Sequence, residues 1–190
     1  MKKIAITGGI GSGKSTVLEI LKNQGYHVLS SDEIVNDLYK KRKIRKMLKA
    51  LFPSAVKGIW LKLDRTAIAK EVFSNPEKHK ALTNLITPLV IEEINNRAKK
   101  LNATCFVEVP LLFECGYQDL FDESWVVVRD RQARVKSVMA RSNLTEEQVI
   151  ARISNQVDYD SLDLTGFVII ENNGDKQALQ NQILEKIKNL

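Results

Sequence analysis

One stretch constrains this chain more than any other. Between the apolar run KKIAIT (2–7) and a segment of helical spacing stands Gly8-Gly9-Ile10-Gly11-Ser12-Gly13-Lys14-Ser15. Glycine weakens regular structure and belongs where the backbone must turn sharply or come close to something. The spacing is G-x-x-x-x-G-K-[ST], a P-loop. Successive N–H groups can converge there on phosphate oxygens, and the following helix adds the partial positive charge of its N-terminus. Lys14 then reaches the β and γ phosphates, and the Ser15 hydroxyl ligates Mg²⁺. The motif implies a strand, a phosphate-binding turn and a helix at the heart of an α/β fold.

The rest of the chain agrees. Five short apolar or β-branched runs, 2–7, HVLSS (27–31), TCFVEV (104–109), SWVVVR (124–129) and GFVIIE (166–171), alternate with helical patterns. This is the signature of a parallel sheet flanked by helices. After the loop, apolar residues at 17, 18, 20 and 21 precede Gly25 as a C-terminal cap. Thr145 with Gln148 reads as a capping box, and Asp175 as the cap of the last helix. Between the second and third runs lie about 70 residues, far more than one crossover helix needs. Asp32–Phe52, Asp64–Phe73 and Pro76–Leu101 all read as helices, the last interrupted or bent at Pro88. The expectation is an all-helical insertion that either holds a substrate or forms a structural layer.

Two acids stand at strand ends, where open α/β sheets bind their ligands. Asp32 follows Ser30-Ser31; it either accepts the proton of an attacking hydroxyl or caps the next helix. Glu108, ending the third run, occupies the position that holds Mg²⁺ directly or through water. Arg134, Arg141 and Arg152 lie on two short helices after the fourth run. They are either mobile lid arginines that neutralise a transferred phosphoryl group or ordinary solvent-facing side chains.

Composition narrows the class. The net charge is +6, and much of the excess sits in KKRKIRKMLK, Lys40–Lys49. That run is either a solvated helix face or an anion-attracting wall. Aromatic residues are 6% and are not interleaved with it, so a stacking platform for single-stranded nucleic acid is a poor fit. No apolar run reaches membrane-span length, and MKKIAITGG is too short and glycine-rich for a signal peptide. Cys105 and Cys115 give neither metal-ligand spacing nor a disulfide framework, so a cytoplasmic setting is expected. A GTPase switch would need a DxxG element after the third strand and an NKxD reader. The chain's DxxG, Asp163–Gly166, comes far too late, and NKxD is absent.

At this point the chain resembles the dephospho-CoA kinases. The resemblance runs from TGGIGSGKST (Thr7–Thr16) and Asp32 through Gly58, Leu63-Asp64-Arg65 and Glu71-Val72-Phe73. It continues with Pro110-Leu111-Leu112-Phe113-Glu114 and Gly116, and ends with Arg141, Leu144-Thr145, Arg152-Ile153, Gln156 and Asn172-Asn173-Gly174. It implies a P-loop kinase with a core at 1–31, 102–136 and 158–190. A helical acceptor-binding insertion would occupy 32–101 and a lid 137–157. ATP, with Mg²⁺, would phosphorylate the 3′-hydroxyl of dephospho-CoA in the last step of coenzyme A synthesis; another small-molecule P-loop kinase, of nucleosides or nucleotides, is the alternative. Asp32 would be the base, with Lys14 and Arg141 stabilising the γ-phosphoryl group. Gly9, Gly11, Ser12, Gly13, Lys14, Ser15 and Thr16 would hold ATP, and Asn172 would lie near adenine. Arg65, Leu111 and Leu112, with Asp32, would seat the acceptor, and Ser15 and Glu108 the metal. A monomer with neither nucleic acid nor membrane as partner is expected. Against the family pattern, Thr87 replaces a histidine before Pro88, Glu108 replaces aspartate, and Ser137 stands where a further lid arginine is common. Arg134, one helical turn earlier, is a candidate substitute. Asp158, Asp160 and Asp163 replace basic residues.

Overall fold

A computed structural model describes residues 2–142 and 144–190. Met1 and Asn143, inside the expected core and lid ranges, lie outside the described residues. From the N-terminus the elements are β1 (Lys3–Thr7), α1 (Lys14–Asn23), β2 (His27–Ser30), α2 (Ser31–Lys40) and α3 (Arg42–Leu51). A two-residue pair, β3 (Val56–Lys57) and β4 (Lys62–Leu63), precedes α4 (Arg65–Ser74) and α5 (Pro76–Leu101). Then come β5 (Cys105–Glu108), β6 (Glu123–Val128), α6 (Arg131–Ser142), α7 (Glu146–Ser154), β7 (Val168–Glu171) and α8 (Lys176–Ile187). Ser31–Lys100 forms one compact unit, and the chain before and after it forms another.

In the latter unit the five expected strands make one parallel sheet in the order β2-β5-β1-β6-β7. Helices cover a parallel sheet on both faces, so its strands read as continuous apolar runs instead of alternating ones. Ile4, Ala5, Ile6 and Thr7 are accordingly all fully buried. Ile6, Leu21, Phe106, Trp125, Ile170 and Ile183 share one core drawn from strands and helices alike. The Phe106 and Trp125 rings meet edge to face, centroids 5.1 Å apart. Burying each such side chain stabilises the fold by about 2 kcal/mol. Helix α1 ends where the N–H of Gly25 reaches Lys22 and that of Tyr26 reaches Leu21, turning the chain into β2.

The Ser31–Lys100 unit departs from expectation in three places. First, Asp32–Phe52 is two helices, broken at Lys41, which has extended dihedrals. The buried pairs Ile34/Leu38 and Ile44/Leu48 each keep helical spacing, but Leu38 to Ile44 is six residues. On one straight helix that step would throw the second pair about 240° around the axis, so two axes are needed. Second, the insertion is not all helical, because β3 and β4 pair antiparallel. The turn between them leaves Ile59 and Trp60 exposed. Third, α5 runs uninterrupted through Pro88. Ile86, Val90, Ile94 and Ala98 form a buried i, i+4 stripe across it, and that packing outweighs the lost hydrogen bond. No helix among the described residues is long and apolar enough to cross a membrane.

Candidate active site

Strand β1 lies at the centre of the sheet, between β5 and β6, so the glycine stretch emerges at the middle of its carboxyl edge. Two glycines there are required by geometry. Gly11 has φ +78°, and a Cβ on it would sit 2.6 Å from the Arg134 carbonyl oxygen. Gly13 has φ +97°, and a Cβ on it would collide with the Asn172 amide. The backbone contact at Gly11 leaves no room for a larger residue, and at Gly13 the Asn172 amide would have to leave its place, both on top of the dihedral strain. Lys14 opens α1 and folds back over the loop, its Nζ donating to Gly8 O at 2.6 Å and Gly9 O at 3.2 Å. Burial holds its pKa below the ordinary lysine value; Glu108 and Glu114 act in the opposite direction, and Arg141 adds to the lowering.

A cavity of about 360 Å³ opens beside the loop, a volume in the range of small-ligand sites. The loop side contributes Ile10, Gly11, Gly13, Lys14, Ser15 and Thr16. Glu108 and Arg129 enter from the ends of β5 and β6, Ser137 and Arg141 from α6, and Asn172 from the end of β7. Asn172 is fixed at both ends, its backbone N–H donating to Val128 O and its Nδ2 to Ser12 O at 2.7 Å. The Ser12 hydroxyl oxygen is buried with no hydrogen-bond partner. One lysine, two arginines and one carboxylate thus border a single concave volume under a helix N-terminus. That is a site for a polyanion.

Among the site residues expected from sequence, Gly11, Gly13, Lys14, Ser15, Thr16, Glu108, Arg141 and Asn172 meet in this cavity. Gly9 packs behind the loop: a Cβ on it would lie 2.5 Å from Arg134 Nη1. Asp32 and Arg65 belong to the other unit. Asp32 is exposed in the first turn of α2, inside the helix and not at its cap. Arg65 donates to Asn36 Oδ1 at 2.6 Å and stacks 5.2 Å over Tyr39. The Leu111–Leu112 pair divides. Leu112 is fully buried and has no surface for a ligand, whereas Leu111 is 49% exposed.

Arg134 needs correction. It is neither a mobile lid arginine nor solvent-facing: only 3% is exposed, and Nη2 pairs with Asp160 Oδ2 at 2.8 Å. It cannot substitute for an arginine at position 137. Its neighbours form a buttress that sequence reading missed. Tyr159 and Thr7 hydroxyls meet at 3.2 Å, Gln156 Oε1 accepts from Ile10 N at 2.7 Å, and Glu114 Oε1 accepts from Val157 N at 3.2 Å. Arg129 was also missed, although its signal, a charge at the end of an apolar strand, is the one that marked Glu108.

The oxygens of Ser15 and Glu108 are hard ligands of the kind Mg²⁺ prefers. The described residues hold no cluster of three or more metal-ligating side chains. Both residues line the one cavity, so the donor types present there suit Mg²⁺.

Comparison with known proteins gives a consistent answer. The family model described as dephospho-CoA kinase matches residues 2–178. A dephospho-CoA kinase of Streptococcus pyogenes serotype M3 is 34% identical over 191 residues, 98% of this chain and 97% of that one. The crystal structure of TT1252 from Thermus thermophilus superposes with a TM-score of 0.86 at 37% identity, covering 98% of this chain and 96% of the other. The dephospho-CoA kinase from Campylobacter jejuni gives 0.69 at 27% identity, covering 98% and 95%. By family match, sequence identity and fold together, the chain belongs to the dephospho-CoA kinase family.

Proposed function

We propose that the protein transfers the γ-phosphoryl group of ATP to the 3′-hydroxyl of dephospho-CoA, yielding coenzyme A and ADP. The observation that carries this reading is the convergence of the loop, Lys14, Ser15, Glu108 and Arg141 on one cavity, in a chain of this family. The loop amides and Lys14 would bind the phosphate tail, and Arg141 would neutralise charge gathering on the transferred group. Asn172, fixed against Ser12 and Gly13, would border the adenosine end. Ser15 and Glu108 would hold Mg²⁺, which supplies charge neutralisation between the phosphates when bound. Asp32 would take the proton of the attacking 3′-oxygen as the new P–O bond forms and ADP departs. Arg65 and Leu111 would seat the acceptor; the burial of Leu112 leaves the apolar contact to Leu111.

A panel of acceptors tests the reading. With ATP and Mg²⁺, ADP release is expected with dephospho-CoA and not with AMP, CMP or nucleosides. Preference for a nucleotide or nucleoside would overturn it. The base assignment has its own test. Asp32→Asn should keep ATP affinity and lower kcat by roughly 10² or more, and near-normal turnover would remove Asp32 from the role.

A further inference from the structure

The cavity wall carries a cation that the sequence pattern did not single out. At position 137 the wall presents a serine hydroxyl, which brings no charge to a volume meant for a polyanion. Arg134, one turn earlier on α6, is committed to Asp160 and packed behind Gly9. Arg129 is placed differently. It follows the last residue of β6, whose pairing with β7 and whose Val128 carbonyl bond to Asn172 N fix the backbone there. It shares the cavity with Lys14, Ser15 and Arg141. Its Nε is buried without a hydrogen-bond partner, and no described carboxylate is paired with it. A buried guanidinium N–H left unpaired is costly, and the side chain that carries it lines the cavity bordered by Lys14, Ser15 and Arg141.

Resting on the ATP reading above, we propose that Arg129 is a phosphate-binding residue of the nucleotide site, supplying from the end of β6 a positive charge that Ser137 does not supply from α6. A guanidinium anchored on a strand end loses little freedom when a phosphate arrives, and its planar fork suits two oxygens.

The test measures nucleotide binding by calorimetry, with no acceptor present, in the wild-type chain and in Arg129→Gln. The expected result is a Kd for ATP raised about tenfold or more, a Kd for AMP changed less than threefold, and an unliganded Tm within a few degrees. A merely structural arginine would weaken both nucleotides together or neither; either outcome overturns the proposal. Should R129Q lose its folded circular-dichroism signal, Arg129→Met, which keeps the apolar stem without the charge, is measured in its place, with ATP affinity within twofold of wild type as the overturning result. The two readings fail separately. An acceptor panel favouring another substrate retires dephospho-CoA and leaves Arg129 standing. Unchanged ATP affinity in R129Q retires Arg129 and leaves the kinase standing. A wild-type chain that binds no ATP retires both.

Discussion

Burial disfavours the ammonium of Lys14, and the charges of Glu108 and Glu114 stabilise it only in part, since the net effect still lowers its pKa. The sign has two consequences. In the unliganded protein the folded state holds the proton less tightly than the unfolded chain does, so this group opposes folding at neutral pH. That penalty fades as pH rises from the lowered folded value towards the ordinary one. Lys14→Met, which keeps the stem without the charge, should abolish turnover yet raise the unliganded Tm by about 2–4 °C; a lower Tm would show that the carbonyl bonds outweigh the desolvation. In catalysis, kcat/KM for ATP reports the free enzyme, so its alkaline limb should fall below the usual lysine range. Arg134 tests the opposite arrangement. Its partner Asp160 is half exposed, at 49% against 4%, so Asp160→Asn should cost about 1–2 kcal/mol, less than for a fully dry pair. Adding Arg134→Met should recover part of that loss in urea melts, because it removes the stranded charge. That the glycine stretch, Lys14 and Glu108 meet at one cavity was legible from sequence, because a phosphate-binding motif ties residue type to spacing. Arg134 and Arg129 were not, since an arginine's spacing does not say whether a carboxylate or a cavity faces it.

Elements were legible wherever one physical cause sufficed. The central strands β1, β5 and β6, buried on both faces, announce themselves as apolar runs, and the caps at Thr145 and Asp175 stand as read. The misreadings came where causes competed. Helix α5 stays helical through Pro88 because four buried residues outweigh one proline, and α2 and α3 separate because two correctly spaced stripes are out of phase. The two-residue strands β3 and β4 are too short for any period to show. Helix α7 offers a clean test of a local signal. Thr145 Oγ1 accepts from Gln148 N while Gln148 Oε1 accepts from Thr145 N, and among the helix's residues only Val149 is buried. With so little packing, the cap carries a large share of its stability. Thr145→Ala should cost about 1 kcal/mol, seen as faster amide exchange across α7 with β1 and β6 unchanged. If exchange rises equally in the sheet, α7 is part of the global unfolding unit and not a separately fraying one.

Across the whole molecule the formal charge is +6, and α3 shows how part of it is displayed. Ile44 and Leu48 point into their unit, while Arg42, Lys43, Lys46 and Lys49 are exposed and form no ion pair with a described residue. Lys41 is different, since Glu93 partly neutralises it at 3.3 Å. A solvated face needs no such concentration of one sign, although it tolerates it. A polyanionic acceptor gives the concentration a use, because dephospho-CoA carries a pyrophosphate and a positive surface raises the rate of capture without touching the chemical step. The two accounts part over kinetics. Reversing Lys43 and Lys46 to glutamate takes the formal net charge from +6 to +2. Capture then suffers first: KM for dephospho-CoA should rise about threefold to tenfold at low salt while kcat changes less than twofold. At 1 M salt, where screening shortens the reach of each charge to about 3 Å, most of that difference should vanish. KM for ATP serves as the internal control, since the wild-type and reversed proteins share the same loop, Lys14 and Arg141. An unchanged KM for the acceptor at low salt would return α3 to an ordinary solvated helix. A fall in kcat instead would place its charges in the reaction and not in the approach to it.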